Sequence, residues 1–204
     1  RHAMKVSKGG FETFTKEFEI KSGETKAIRV RLELAKANPV NSGKEQTLAF
    51  QQPGFEVWVK EVQALPAEEQ VQAVTKKLQE LNPGLDRLEG HSVKEGKVVW
   101  MKFPGIHVKD LSPLRALKDL SRLGCSGLYL QNRSQLSDLS PLQGLPLVDL
   151  EIAYSQISDL SPLEGAPLLG LHCVGSNISS LEPLKGMPLR ELDIALSRVK
   201  DLSP

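Results

Sequence analysis

Apolar positions in the second half of the chain follow a pattern that begins again every 21 residues. Three consecutive copies align without gaps and read PLVDLEIAYSQISDLSPLEGA, PLLGLHCVGSNISSLEPLKGM and PLRELDIALSRVKDLSP. In the first copy the apolar residues are Leu147, Leu150, Ile152 and Ile157, and the other copies carry apolar side chains at the same positions. Leu150 and Ile152 are two residues apart, which places both side chains on one face of a short strand. A constant period of this length predicts a solenoid of stacked coils.

The turn signals between these strands repeat with the same period. The phrase DLSP begins at Asp138, Asp159 and Asp201, and an altered form, SLEP, begins at Ser180. Ser-Pro-Leu and Gly-x-Pro break each strand and return the chain, and they supply a second inward leucine per coil. One coil cannot cover its own apolar face, so neighbouring coils must stack.

One interval is longer, because Asp110 precedes Asp138 by 28 residues. Most of the extra length follows the predicted strand around Leu123, and we assign it to a loop over residues 126–135. The coil frame also fits four apolar residues further upstream, Val98, Met101, Phe103 and Val108. The sequence therefore predicts five strands, four of them spaced by complete coils, with the last coil cut off at Pro204.

The aligned copies resemble a leucine-rich repeat of the short, 21-residue kind. The resemblance implies an α/β leucine-rich-repeat solenoid with short parallel strands, an irregular convex side and a concave strand face that binds partners. Many such repeats carry Asn at the ninth position, where this chain has Ser155, Ser176 and Ser197. A hydroxyl can also bond to backbone, so we expect a serine ladder between neighbouring coils.

The region before the repeats has the pattern of an N-terminal cap. Residues 66–81 predict a helix, with Pro at the start, two Glu in the first turn and an apolar stripe through Val71, Val74 and Leu78. The following stretch HSVKEGKVVWMKF predicts a hairpin. We assign residues 55–104 to this helix-plus-hairpin cap and the first coil, and residues 105–204 to the repeats, with the last repeat truncated.

The N-terminal end predicts a separate antiparallel β-module. Alternation over residues 14–20 and 28–32 around Ser22-Gly23 is a hairpin pattern. Residues 1–34 resemble the C-terminal half of a PEGA domain, a small bacterial β-module, on His2, Gly10, Phe11, Gly23, Glu24 and Leu32. Residues 35–54 are polar and rich in small side chains, which indicates a linker. We expect the chain to be a fragment that begins inside one domain and ends inside a repeat.

The net charge, the lack of a long apolar run and the positions of the two cysteines limit which functions the chain can have. The formal net charge of +1 gives no reason to expect nucleic acid, and no run of 18 apolar residues occurs that could span a membrane. Cys125 and Cys173 lack the spacing of a zinc site. The alignment places them on inward positions two coils apart, about 10 Å, which exceeds the roughly 7 Å reach of a disulfide. We therefore predict two buried, unbonded thiols and no metal.

The sequence also lacks the spacings of common catalytic sites. We find no phosphate-binding glycine loop, no G-x-S-x-G and no H-E-x-x-H. These observations favour a non-catalytic module without a cofactor.

Polar side chains remain on the outward face of the predicted strands, at the third and fifth positions of each coil. Along the chain this face changes from basic to acidic, and the inserted loop adds two residue types that often anchor interfaces. We predict a partner-binding surface formed by Arg122, Tyr129, Arg133, Asp149, Glu151, His172, Glu191 and Asp193. Two alternatives stay open: the face is simply solvated, or the loop packs through Leu128 and Leu130.

The phrases DLSPLQGLPL, SLEPLKGMPL and ALPAEEQVQAVTKKLQELNPG resemble leucine-rich segments of large multidomain bacterial proteins. The resemblance implies a bacterial serine/threonine protein kinase as the parent, with this chain as an accessory protein-binding or sensing region. An accessory region of a sulfatase-modifying-type protein and a purely structural surface module are the alternatives. The resemblance leaves a cytoplasmic or a cell-surface location open, and the oligomeric state is likewise open.

Overall fold

The computed structural model describes residues 2–6, 14–18, 47–129 and 133–202. The chain divides into two compact units, Arg1–Gln46 and Thr47–Pro204. In the first unit, β1 (His2–Val6) pairs antiparallel with β2 (Phe14–Phe18). The hairpin predicted from residues 14–32 thus has only its first strand among the described residues, and the remainder of the PEGA-like pattern lies outside them.

The second unit begins with two short helices. Helix α1 (Phe55–Gln63) buries Phe55, Val59 and Val62, and helix α2 (Ala67–Leu81) buries Val71, Val74 and Leu78 among others. Helix α2 follows Pro66 and carries Glu68 and Glu69 in its first turn, where carboxylates favour the helix dipole. Helix α2 lies where the apolar stripe predicted a helix, whereas α1 was not predicted.

Residues 47–54, which the sequence analysis assigned to the linker, lie in the same compact unit as the cap. Leu48 is buried, and the backbone N–H of Ala49 donates to Asp110 Oδ2 at 2.9 Å. The backbone N–H of Phe50 donates to Ser112 Oγ at 3.0 Å. These polar anchors come from residues about 60 positions away, so local composition gave no sign of them.

The rest of the unit is built on a six-stranded sheet, whose strands lie in the order β3-β4-β5-β6-β7-β8. Strands β3 (Gly90–Lys94) and β4 (Lys97–Lys102) form an antiparallel hairpin whose turn residues, Glu95 and Gly96, have φ of 50° and 71°. From β4 onward every pair is parallel. The parallel strands are three residues long and one coil apart: β5 (Arg122–Gly124), β6 (Asp149–Glu151), β7 (Gly170–His172) and β8 (Glu191–Asp193).

The central residue of each parallel strand points into the core. The register joins Met101, Leu123, Leu150 and Leu171 in one ladder, and each is at most 2% exposed. The ladder continues to Leu192, which is 40% exposed. Opposite the strands, four short 3-10 turns with an early proline return the chain: Ser112–Ala116, Ser140–Leu142, Ser161–Leu163 and Glu182–Leu184.

The DLSP phrase is the start of these 3-10 turns. The carboxylate of Asp138 accepts the backbone N–H of Ser140 at 2.7 Å, and Asp159 accepts that of Ser161 at 2.9 Å. In the altered copy, Ser180 Oγ accepts the N–H of Glu182 at 3.2 Å. A side-chain acceptor two residues before the turn satisfies a backbone donor that the short helix leaves free. The phrase therefore recurs because each coil needs the same cap.

The predicted serine ladder is wrong. The buried hydroxyls of Ser155 and Ser176 make no hydrogen bond to a neighbouring coil. Backbone groups connect the coils there instead, with Gln156 N donating to Leu136 O and Asn177 N to Ile157 O, both at 2.8 Å. Direct backbone bonds already occupy the nearest partners in these two coils, whereas one coil earlier Ser134 Oγ does donate to Val108 O at 3.3 Å.

An asparagine bridges elements in the cap. The buried side chain of Asn82, at the end of α2, accepts the N–H groups of Lys109 and Asp110, both at 2.9 Å. Its amide donates to Leu78 O at 2.8 Å and to Asp110 O at 2.9 Å. Every hydrogen-bonding atom of this side chain is thus used, and three of its four hydrogen bonds attach the cap helix to the first coil.

The cysteine prediction is confirmed, because Cys125 and Cys173 are both buried and free. Burial raises the pKa of Cys173 to about 12 from an ordinary 9.0. Burial, with a smaller contribution from the charge of Glu151, also raises the pKa of Cys125. Neutral thiols at these positions act as core side chains.

We expect Asp110→Ala to lower the free energy of unfolding by about 3 kcal/mol, because it removes the acceptor of two buried donors of Ser112 and of the half-buried Ala49 N. Asp159→Ala is the matched control: its carboxylate caps a turn in the same way but is exposed, so we expect about 1 kcal/mol. Urea denaturation followed by circular dichroism measures both. Equal losses would contradict the anchoring role of Asp110.

The thiol pKa values also predict a pH dependence. A thiol whose pKa is raised by folding holds its proton more tightly in the folded state than in the unfolded chain. The free energy of unfolding should therefore fall as pH rises from 9 toward 12. Urea denaturation at pH 8.0, 9.5 and 10.5 should show a smaller decline for Cys125→Ala with Cys173→Ala than for the wild type. An equal decline in both proteins would exclude the thiols as its source.

Candidate partner-binding face

The side chains on either side of the buried ladder point outward in two rows. The third-position row follows the strand register through Trp100, Arg122, Asp149, Gly170 and Glu191. The fifth-position row follows it through Lys102, Gly124, Glu151, His172 and Asp193. We call these ten positions on β4–β8 the strand face. Six of the eight residues predicted as partner-binding lie on it, in the order that the 21-residue alignment indicates.

Opposite charges segregate along the strand face. Strands β4 and β5 carry Lys102 and Arg122, whereas the later strands carry the four carboxylates Asp149, Glu151, Glu191 and Asp193. Strands in a parallel sheet are about 4.8 Å apart, so like charges in one row lie close enough to reinforce one another. The face therefore presents a basic end and an acidic end to a partner.

Three contacts shape this surface. Lys102 Nζ lies 3.1 Å from Glu151 Oε2, across the intervening strand. The guanidinium of Arg122 lies 5.9 Å from the centroid of the Trp100 ring. At the other end, His172 Nε2 lies 3.7 Å from Glu191 Oε2. Exposed pairs of this kind contribute little to stability, so they mainly determine where the charges sit.

The two glycines of the strand face differ in what covers them. A Cβ atom on Gly124 would lie 3.0 Å from Lys102 Cγ, because the lysine stem passes over that glycine. A Cβ atom on Gly170 would meet Asp149 Oδ1 at 3.3 Å and His172 Nε2 at 3.7 Å. Gly170 lies in a cleft of about 270 Å³ that Arg122, Val148, Asp149, Leu169, Arg190 and Glu191 also line. We call this cleft the Gly170 notch; the sequence analysis did not identify it.

The inserted loop places its two predicted contact residues in different environments. Tyr129 is 66% exposed, which suits a contact residue. The Nη2 group of Arg133, by contrast, donates to Ser155 O at 2.5 Å and to Gly175 O at 2.6 Å. Burial, with a smaller effect of Arg198, lowers the pKa of this guanidinium. Arg133 thus holds the next two coils together, and the pattern of the sequence alone did not indicate that role.

The loop also touches the strand face at its start. Ser126 Oγ donates to Glu151 Oε1 at 3.4 Å and accepts the N–H of Ala153 at 3.0 Å. Leu128 is exposed, so it does not pack as the alternative interpretation of this loop required. Leu130 lies outside the described residues.

Within the described ranges, no group of three or more His, Cys, Asp or Glu side chains is arranged to hold a metal ion. No helix in the part of the chain that the structure describes is long and apolar enough to cross a membrane.

The parallel ladder, the 21-residue coil and the capped 3-10 turns together define an α/β leucine-rich-repeat solenoid. No family model and no curated protein matches the chain. Among solved structures, internalin C2 from Listeria monocytogenes is 33% identical over 47% of this chain and 41% of its own, with a TM-score of 0.42. The internalin inlF from the same species is 22% identical over 68% and 48%, with a TM-score of 0.40.

The chain spans less than half the length of either internalin. Because both TM-scores are below 0.5, the assignment of the solenoid rests on the strand register and the repeat of this chain itself. The PEGA-like module and the kinase parent stay predictions.

Arg133→Ala should lower the free energy of unfolding by about 2 kcal/mol, because buried carbonyl groups of two coils lose their donor. Tyr129→Ala, in the same loop, should change it by less than about 0.5 kcal/mol because the ring is exposed. Urea denaturation of both variants tests the difference. An unchanged free energy of unfolding in Arg133→Ala would show that the guanidinium does not stabilise the coils.

Proposed function

We propose that residues 47–202 act as a non-catalytic protein-binding module whose strand face contacts the partner. The observation that carries the proposal is the register of β4–β8, which places two outward-facing rows of ten positions, six of them charged, on one surface. An ordered row of exposed groups is suited to a macromolecular partner, because such a partner can contact several coils at once.

The separation of inward and outward side chains within each strand supports this proposal. The central residue of each strand packs inward, and the residues on either side take no part in that core. These outward residues can therefore be substituted without disturbing the core, so their charge and shape can be selected for binding. Segregated charges on such a surface favour one orientation of a partner and speed its association.

The exposed ring of Tyr129 supports a second contact beside the strand face. Tyrosine is enriched among the residues that dominate binding energy at interfaces. The hydrogen bond from Ser126 Oγ to Glu151 links the start of this loop to the acidic rows. A partner lying on β6 can therefore contact the loop at the same time.

For the parent protein, we propose a bacterial serine/threonine protein kinase in which this module recruits or senses a protein. The proposal rests on the resemblance of the DLSPLQGLPL and ALPAEEQV phrases to accessory segments of such proteins. Determining the genomic sequence that encodes the residues upstream of Arg1 tests it. A glycine-rich loop and an HRD motif are expected there; the catalytic residues of a sulfatase-modifying-type protein would favour the alternative parent.

Charge reversal of the acidic rows tests the binding proposal. A protein captured by the immobilised chain from a lysate of the organism that encodes it is purified and titrated by calorimetry. Glu151→Lys with Asp193→Lys should weaken its binding at least tenfold, and Tyr129→Ala at least threefold. The matched control, Glu61→Lys with Glu164→Lys, changes the net charge equally but lies off the strand face, so binding should stay within twofold.

Circular dichroism spectra establish that each variant is folded. If the strand-face variant and the control bind the purified protein equally well, the strand face is not the binding surface. If no purified protein binds the wild type with a measurable dissociation constant, the structural-module alternative gains support.

A further inference from the structure

A second cleft lies away from the strand face, between helix α1 and the 3-10 turns that return the chain opposite the strands. Its volume is about 290 Å³. Helix α1 contributes Lys60 to its lining, and the first turn and the residues after it contribute Arg115 and Lys118. We call this space the basic cleft.

The cations of the basic cleft are not neutralised within the described part of the chain. Lys60 and Lys118 are exposed, and neither they nor the half-buried Arg115 has a described carboxylate within 4.0 Å. Glu56, one helical turn before Lys60, lines the same cleft but forms no ion pair at that distance. Three cations against one carboxylate repel one another, so an anion bound among them is favoured.

Arg115 is held in position by groups other than carboxylates. Its guanidinium lies 4.9 Å from the centroid of the Phe50 ring, and its backbone carbonyl accepts Gln63 Nε2 at 3.5 Å. Stacking on an aromatic ring orients a guanidinium without neutralising its charge. The arginine is therefore ordered in advance, which lowers the entropic cost of binding an anion there.

The floor of the basic cleft is apolar, which suits a peptide better than a free ion. Val59 and Leu145 line it and are only 5% and 8% exposed. At Gly144 and Leu145 the cleft adjoins a further one of about 190 Å³, lined mainly by proline, glycine and alanine, with Glu164 as its one charged residue. A Cβ atom on Gly144 would meet no atom within 4 Å, so the space beside this shared residue is open.

We propose that these two adjoining clefts bind an extended acidic segment of a protein partner, with its carboxylates beside Lys60, Arg115 and Lys118 and an apolar side chain in the further cleft. Charge complementarity specifies the first part, because the cations outnumber the one carboxylate. Glu164 specifies the second part, since its charge disfavours another carboxylate in the further cleft. This surface is separate from the strand face, so the inference goes beyond the proposed function and does not depend on it.

A short peptide in place of the partner tests the proposal. The ¹⁵N-labelled full chain is titrated with acetyl-Leu-Asp-Glu-Asp-Leu-amide and followed by heteronuclear NMR. The acidic run has a leucine on each side, so either chain direction offers one leucine to the further cleft. We expect saturable shifts centred on the amides of Gln143 and Gly144, with a dissociation constant on the order of millimolar. A peptide with Asn and Gln in place of Asp and Glu should bind at least fivefold more weakly, and one with Gly in place of Leu at least threefold.

Substitutions separate the charge of the basic cleft from the net charge of the protein. Lys60→Gln with Lys118→Gln should weaken peptide binding at least fivefold. Lys76→Gln with Lys94→Gln is the matched control, because these exposed lysines line neither cleft, and binding should stay within twofold. Glu56→Gln should strengthen binding at least twofold, since it removes the carboxylate that competes for the cations. Circular dichroism establishes that each variant is folded.

Several results would overturn the proposal. The basic cleft is not a binding site if the acidic peptide gives no saturable shifts, or if the Lys60 and Lys118 variant binds it no more weakly than the control variant. Equal binding of the Asn and Gln peptide would exclude charge as the basis of recognition. Inorganic phosphate is the remaining arm: if it binds as tightly as the peptide, or if the Gly-substituted peptide binds equally well, the cleft takes small anions and the extended peptide is wrong.

Discussion

Burial of one apolar residue per strand is the constraint on which the rest of this structure depends. Leu123, Leu150 and Leu171 stack directly over one another, and each needs the next coil to exclude water from it. Side chains alternate along a strand, so burying the central residue forces its two neighbours outward. The register that closes the core therefore also aligns the outer rows. Stability and the geometry of the candidate site have a single origin.

Each turn that returns the chain from one strand to the next needs only one capping side chain. A strand of three residues must be followed by a tight return, and the Asp or Ser that caps each 3-10 turn satisfies a backbone donor there. Asp110 shows how the same device is extended in the first coil, since its second oxygen accepts Ala49 N and attaches the segment before the cap. One repeated side chain thus serves either as a local cap or as an anchor, depending on burial.

Periodicity predicted the strands, their register and both outer rows, because each follows from a local pattern repeated at a constant interval. The periodicity did not predict contacts between two residues that are far apart in the sequence. The contact between Ala49 and Asp110, the backbone bonds of Arg133 and the Lys102–Glu151 pair each join groups far apart in sequence. Helix α1 was missed for a related reason. Its apolar face is short, and it can be recognised as a buried face only from its packing in the common core. The serine ladder failed because backbone groups, and not the hydroxyls of Ser155 and Ser176, connect the coils at these positions.

The two glycines of the strand face show why identical residues can have different consequences in a repeat. The sequence has the same missing side chain at Gly124 and Gly170, yet only the first has a lysine on the neighbouring strand whose stem covers it. A solenoid repeats its backbone but not its outer side chains, so each outer position is defined by the residues one coil away on either side. The lysine stem covers Gly124, whereas the Asp149 carboxylate and the His172 ring lie against Gly170. An irregularity in the outer rows, set on a regular core, is the form that specificity can take in such a fold, because the core keeps its register whichever outer residue is absent.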